Sequence, residues 1–238
     1  RVWHYHFGQG LVNTPNDFGF NGGRCSHPKL LDWLAVELIR NRWSLKSLHQ
    51  LILMSATFQQ SSEPNSDALK VDAGNQWLWR KSPQRVEAES IRDSILKVSG
   101  QLNSEIGGHG YQDVKSYFFK GTQFYEPLDP VGKEFNRRSI YRFSARGGRH
   151  PLLETFDCPD PSTTTPDRAS TTTPLQALSL MNTSFVLRMS DLLAERVQQR
   201  AGSESQKQVT ELFLLTFQRR PLKQEALMAR EFLEQYGL

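Results

Sequence analysis

The sequence predicts a mainly α-helical protein of the α-rich α+β class, with helical hairpins, a central helix and a small β element. Apolar residues recur at three- and four-residue spacing over several long segments, and Ser, Thr or Pro stands at the start of most of them. One middle segment, 103–149, instead combines glycines with aromatic runs and lacks helical periodicity, which is typical of short strands and loops.

The first predicted hairpin begins at His27-Pro28, where a proline in the first turn costs no hydrogen bond. Its first helix runs to about residue 41. Ser44 then caps a second helix with apolar residues from Leu45 to Ala56. In segment 1–25, glycine and asparagine signals exclude any long helix after an opening turn or two, and the polar segment 61–74 is predicted to be a loop.

The central helix is predicted over 82–98, with Ser82 as N-cap, Pro83 in the first turn and Gly100 as a left-handed C-terminal cap. The helical spacing of its apolar residues predicts that four of them face the core: Val86, Ile91, Ile95 and Val98.

The best strand is predicted at 138–146, because its residues alternate in character. The even positions Arg138, Arg142 and Arg146 would be exposed, and Tyr141 and Phe143 would pack on the opposite face. Residues 117–119 are predicted to pair with this strand.

The C-terminal third is predicted to be helical. Thr173 and Gln176 have the spacing of a capping box, with Pro174 in the first helical position. The helix is expected to bend near 182–184 and to continue to Gly202, after which a last helical hairpin turns at 219–221.

Length and charge limit the architecture and the partners. The 238 residues suit a single domain, 1–238, with a C-terminal helical hairpin at 203–238 as a candidate subregion. The first residue is not Met, so we expect a piece of a larger protein. A net charge of +4, mixed along the chain, does not predict nucleic-acid binding, and no apolar run is long enough for a membrane span.

Six segments, which cover nearly the whole chain in order, can be compared with known families: residues 3–12, 17–19, 26–35, 43–49, 85–93 and 172–182. Together they resemble one family, the domain-of-unknown-function family 1553 of planctomycete-type proteins. The resemblance implies an extracytoplasmic protein whose other domains often include a cytochrome-c-like module. It also implies a context of polysaccharide processing, without an established reaction.

Three functions follow as expectations. The first is an accessory or binding domain that works with other domains of the same polypeptide and with polysaccharide. The second is a hydrolase acting on an anionic glycan, and the third is a docking domain for the cytochrome-c-like module through the N-terminal aromatic residues. No catalytic motif decides whether the chain is an enzyme, and no cofactor is predicted.

The arginines at 138, 142 and 146 are candidate ligand-binding residues. On a strand they would be spaced about 13 Å apart, which suits an extended anionic glycan bound through planar guanidinium groups. The alternative is that the arginines of this region form ion pairs with Asp157, Asp160 or the helix that carries Glu87.

Asp157 and Asp160 flank Cys158-Pro159 and are the candidate catalytic pair, either as acid and base or as calcium ligands. Arg168 and Gln176 lie close in sequence and complete the candidate ligand-binding set. The alternative is a structural loop in which the aspartates bind Arg168 or cap backbone amides.

Histidines and cysteines offer further candidates. His4, His6 and His27 are weak metal-ligand candidates, because imidazole is a common ligand. Their aromatic neighbours favour packed, hydrogen-bonded histidines instead. Cys25 and Cys158 are either two buried thiols or one long-range disulfide.

Overall fold

The computed structural model describes residues 1–236, and the described chain is mainly helical. It has eleven α-helices, a 3-10 turn and one two-stranded β-hairpin. This confirms the predicted α-rich α+β class. None of the described helices has the length and apolarity that crossing a bilayer requires. Residues 237–238, the end of the predicted subregion 203–238, lie outside the described residues.

The chain divides into two compact units, Arg1–Arg85 and Val86–Leu238, which are described separately. The single-domain organisation stays a prediction. The first unit contains the helices α1 Val2–Phe7, α2 Pro28–Arg40, α3 Leu45–Leu53, α4 Ala56–Gln59 and α5 Ser66–Val71. Its core is formed by Phe7, Leu11, Leu34, Leu48 and Ile52.

The first predicted hairpin is confirmed as α2 and α3. Pro28 opens α2, and the Ser44 hydroxyl accepts a hydrogen bond from the Ser47 amide at the start of α3. The second helix ends earlier than predicted, because Ser55 caps the separate helix α4. The predicted loop at 61–74 is wrong in part: Asn65 accepts two amide hydrogen bonds and starts α5.

The second unit contains the remaining six α-helices. They are α6 Ala88–Val98, α7 Pro151–Thr155, α8 Pro174–Asn182, α9 Ser184–Ala201, α10 Ser205–Phe217 and α11 Lys223–Tyr236. The predicted capping box forms at the start of α8, where Thr173 and Gln176 exchange hydrogen bonds. The bend predicted near 182–184 is a full break, because Thr183 has an extended backbone and separates α8 from α9. The final hairpin α10–α11 is present, and Gly100 has a left-handed φ of +81°.

The predicted start of the central helix is wrong. The helix α6 begins at Ala88, and the Ser82 hydroxyl accepts a hydrogen bond from the Asn75 side chain at 2.8 Å instead of capping a helix. Val86 is therefore exposed, not inward. The buried face of α6 is formed by Ala88, Arg92 and Leu96, at four-residue spacing.

The predicted strand at 138–146 is also wrong. A 3-10 turn, Ser139–Tyr141, occupies its first half, because the Ser139 amide and hydroxyl bind Asp93 of α6 at 2.7 and 2.8 Å. The observed strands are β1 Val114–Phe119 and β2 Thr122–Pro127, paired antiparallel. Residues 117–119 are thus in a strand, but their partners are 122–124.

A buried arginine joins α6 to the segment before the 3-10 turn. Arg92 is only 5% exposed, and its guanidinium donates to the Phe135 carbonyl at 2.6 Å and to the Arg137 carbonyl at 3.0 Å. The same group lies 5.3 Å from the ring centre of Tyr111 and 5.5 Å from that of Phe185. One side chain therefore contacts four parts of the second unit.

Arg92→Met should lower the free energy of unfolding by about 3 kcal/mol or more, because two buried carbonyl groups lose their donor. Urea unfolding followed by circular dichroism measures this change. Arg138→Met is the control, since Arg138 is exposed and pairs with Asp93 at 3.5 Å. We expect a loss of about 1 kcal/mol or less for the control. Equal losses in the two variants would contradict the role given to Arg92.

Candidate functional site

A cavity of about 380 Å³ with polar and apolar wall residues lies within the second unit. This volume is within the range of about 300–1,000 Å³ that is usual for small-molecule sites. The wall is formed by Arg92 of α6, the segment 100–103 that follows this helix, the base of the β-hairpin, the segment 128–136 and α9. Its aromatic and charged members include Arg92, Tyr111, Asp113, Asp129, Phe135, His150, Phe185 and Arg188.

Two buried oxygens at this cavity have no hydrogen-bond partner among the described residues: the Tyr111 hydroxyl and Asp113 Oδ1. Tyr111 is 6% exposed and Asp113 is 4% exposed. The other oxygen of Asp113, Oδ2, accepts from Arg142 Nε at 2.7 Å. Because buried polar atoms are normally paired in proteins, two unpaired oxygens on residues of the cavity wall are unusual for a purely structural wall.

The protonation of Tyr111 follows from its burial. Burial raises the pKa of its phenol to about 12, so the hydroxyl is neutral at pH 7 and can both donate and accept a hydrogen bond. Backbone bonds hold the residue in place: the Tyr111 amide donates to the Tyr141 carbonyl, and the Tyr111 carbonyl accepts from the Phe143 amide.

His150 lies behind Asp113. Its Nδ1 accepts from the Leu153 amide at 3.4 Å and caps α7, and its Nε2 is 3.6 Å from Asp113 Oδ2. Burial lowers the pKa of the imidazole to about 4, because desolvation together with Arg142 and Arg92 outweighs the attraction of Asp113. The ring is therefore neutral at pH 7, and the bond at Nδ1 assigns its proton to Nε2.

An ion pair forms another part of the cavity wall. Asp129 accepts from both terminal nitrogens of Arg188, at 2.5 and 2.6 Å, and from the Ser184 hydroxyl at 2.5 Å. The hydrogen bond from Arg188 is the main reason that the pKa of Asp129 is lowered to about 2. The guanidinium groups of Arg188 and Arg92 are both bound to protein acceptors.

The predicted arginine row does not form, because its strand is absent. Arg142 is buried against Asp113, whereas Arg138 and Arg146 are exposed and Arg138 pairs with Asp93. Arg149, in the same segment, binds Glu154 and Asp160. Ligand binding by Arg138, Arg142 and Arg146 stays a prediction without the regular spacing that suggested it.

The structure brings Asp157 and Gln176 together. Asp157 has a left-handed φ of +64°, and its carboxylate accepts from the Thr171 amide at 2.8 Å and from the Thr171 hydroxyl at 2.9 Å. The Gln176 side-chain amide donates to the Thr155 carbonyl at 3.0 Å and to Asp157 at 3.5 Å. These bonds match the alternative in which the aspartate caps backbone amides at the start of α8.

Asp160 and Arg168 have other partners. Asp160 accepts from the Ser162 amide at 2.8 Å and from Arg149. Arg168 donates to Glu89 of α6 at 2.7 Å, and lies 3.5 Å from Glu87. Each of the two residues thus has local polar partners, and neither lines the cavity.

The cysteines are both free thiols, so they form no disulfide. Cys158 Sγ lies 3.8 Å from Glu89 Oε1, and burial raises the pKa of the thiol to about 11. It is therefore protonated at pH 7 and a poor nucleophile.

The histidine candidates are engaged in separate contacts. His6 Nδ1 is 2.8 Å from the Val2 carbonyl, and its Nε2 is 3.2 Å from His49 Nδ1. His27 Nδ1 lies 2.9 Å from the Ser26 hydroxyl. In the described part of the chain, no three His, Cys, Asp or Glu side chains come together in a way that could hold a metal ion.

Sequence reasoning missed the residues of the cavity. Tyr111 and Asp113 stand in a segment that resembles an ordinary exposed strand, and nothing local marks the aspartate as buried. His150-Pro151 was a usable signal, because it repeats the His27-Pro28 pattern that predicted the start of α2.

A family model described as PSD1, Protein of unknown function (DUF1553), matches residues 1–233. No curated protein and no solved structure matches the chain.

The neutral His150 should make the protein sensitive to acid. Its pKa is lower in the folded chain, about 4, than its ordinary value of 6.5. Unfolding therefore takes up a proton below pH 6.5, and the free energy of unfolding falls as the pH drops towards 4. His150→Asn keeps a side-chain acceptor for capping α7 but does not titrate.

Between about pH 7 and pH 4.5, wild type should lose about 2 kcal/mol more stability than His150→Asn. Urea unfolding at a series of pH values measures both proteins. Other carboxylates titrate in both, so the difference between the two curves isolates the histidine. Parallel curves would show that folding does not lower the pKa of His150.

Proposed function

We propose, on the basis that this chain belongs to the PSD1 family of proteins of unknown function (DUF1553), that it is an accessory binding domain of an extracytoplasmic multidomain protein and that its cavity binds a carbohydrate. The observation that carries the proposal is the pair of unpartnered oxygens on Tyr111 and Asp113 at the cavity. Other domains of the same polypeptide would act on the bound carbohydrate or hold it in place.

The chemistry of the wall supports this ligand class. A sugar ring carries hydroxyl groups at its rim and C–H groups on its faces. The unpartnered Asp113 oxygen would accept from one hydroxyl, and the Tyr111 phenol would donate to or accept from a neighbouring one. Phe135 and Phe185 supply apolar surface on the same wall.

Charge supports a neutral sugar over an anionic one. Asp113 would repel an anionic group placed at its free oxygen, and Arg142, the nearest cation to it, already bonds to its other oxygen at 2.7 Å. The proposed ligand is therefore a neutral carbohydrate, in contrast to the anionic glycan expected from the arginine row.

Tyr111→Phe tests the proposal because it removes one hydroxyl and little else. We expect binding of the best ligand in a panel of neutral mono- and disaccharides to weaken about 5- to 100-fold, as a buried hydrogen bond is lost. Titration calorimetry measures the affinities. Tyr5→Phe is the control, since Tyr5 is exposed in the first unit and should leave affinity unchanged. The proposal fails if wild type binds no sugar in the panel, or if both variants bind like wild type.

The cellular location is tested separately. Fractionation of the native cells, followed by detection with an antibody, should recover the protein outside the cytoplasmic fraction. Recovery together with cytoplasmic marker enzymes would contradict the extracytoplasmic proposal.

A further inference from the structure

The β-hairpin projects directly from the proposed carbohydrate site. Asp113 immediately precedes β1 and Leu128 immediately follows β2, and both residues line the cavity. The Leu128 amide donates to the Asp113 carbonyl at 2.8 Å, which extends the strand pairing by one position beyond the named strands. The cavity wall is thus continuous with the paired strands.

One face of the hairpin extends from the cavity towards the turn. Because successive residues of a strand point to opposite faces, Asp113, Lys115, Tyr117 and Phe119 share a face. Their partners across the hairpin are Leu128, Glu126, Phe124 and Thr122. The face that meets the cavity at its base therefore carries three aromatic rings farther out.

These rings form a partly exposed platform, defined by Tyr117, Phe119 and Phe124. Tyr117 and Phe124 stack with ring centres 5.6 Å apart and planes 17° from parallel, and Phe119 lies 6.5 Å from Phe124. All three residues are exposed to solvent. Three exposed aromatic rings in contact on one face of the hairpin form a candidate binding surface.

The opposite face of the hairpin is anchored to the rest of the unit. Tyr125 lies on that face, where a Cβ added at Gly147 or Gly148 would come within 3.3 Å of it. Glycine on the facing segment allows this close approach, and the aromatic platform is directed away from this anchor.

We propose that the aromatic platform binds a linear carbohydrate chain whose terminal unit occupies the cavity. This inference rests on the proposed function and extends it from a single sugar to a polymer. The apolar faces of successive sugar rings would stack on Tyr117, Phe124 and Phe119, and their hydroxyl groups would meet the flanking Lys115 and Glu126. Continuity of this face with the cavity is what favours a chain that begins there over an unrelated protein partner.

The test uses graded oligomers of the neutral sugar that binds the cavity most tightly, from the single unit to a hexamer, titrated into the intact chain. Wild-type affinity should rise with oligomer length. In the double variant Tyr117→Ala with Phe124→Ala, affinity for the single unit should stay unchanged, and affinity for the longest oligomer should fall about tenfold or more. Phe119→Ala should give a smaller loss in the same direction.

Phe118→Ala is the matched control. Phe118 lies in the same strand and is 74% exposed, but it points to the opposite face, so its removal should leave length dependence unchanged. Circular dichroism of every variant checks that the fold is retained, and exposure of the replaced rings predicts that it is.

The outcomes separate this inference from the proposed function. If no neutral sugar of any length binds wild type, both are overturned. If the single unit binds but affinity does not rise with length, or if Phe118→Ala weakens long oligomers as much as the double variant, only the extended surface is overturned. Concentration-dependent self-association that the double variant abolishes, with length dependence unaltered, would assign the platform to a protein interface instead.

Discussion

The second unit depends on the burial of Arg92. A buried guanidinium is tolerated only when acceptors surround it, and here the carbonyl groups of Phe135 and Arg137 supply them. These bonds hold an irregular segment against α6, where its own backbone would otherwise lack partners. The contacts of the same cation with the rings of Tyr111 and Phe185 place both rings at the cavity. The cavity thus exists because one helix buries a charge where an apolar residue is usual.

A second buried charge network defines the chemistry of the cavity. Arg142 pairs with Asp113, while His150 stays uncharged beside them. Replacing such a network with apolar residues often leaves stability unchanged or improves it. Keeping a buried carboxylate with one unpartnered oxygen beside a cavity is therefore costly for a purely structural core. The cost is consistent with a recognition role, which is why the proposed function is built on Asp113 and not on Asp157 or Asp160.

Local signals account for the parts that sequence reasoning predicted correctly. The capping box at Thr173 and Gln176 and the left-handed Gly100 act within a few residues of themselves. The wrong predictions have non-local causes. The alternating arginines predicted a strand at 138–146, but the Ser139 amide donates to Asp93 and the Arg142 side chain donates to Asp113. The cavity was missed for the same reason, since its residues come from distant segments and their burial has no pattern in the sequence.

The turn of the β-hairpin is a local sequence feature that affects the distant cavity. Lys120 and Gly121 both have positive φ, +48° and +82°, as in the two-residue turns that match strand twist. This turn pairs Phe119 with Thr122 and so sets the register of the whole hairpin. A shift of one residue would turn Asp113 away from the cavity and the three rings to the anchored face. The orientation of the Asp113 carboxylate is therefore determined partly by Gly121, at the far end of the hairpin. The turn needs a left-handed backbone at this position, which glycine adopts readily.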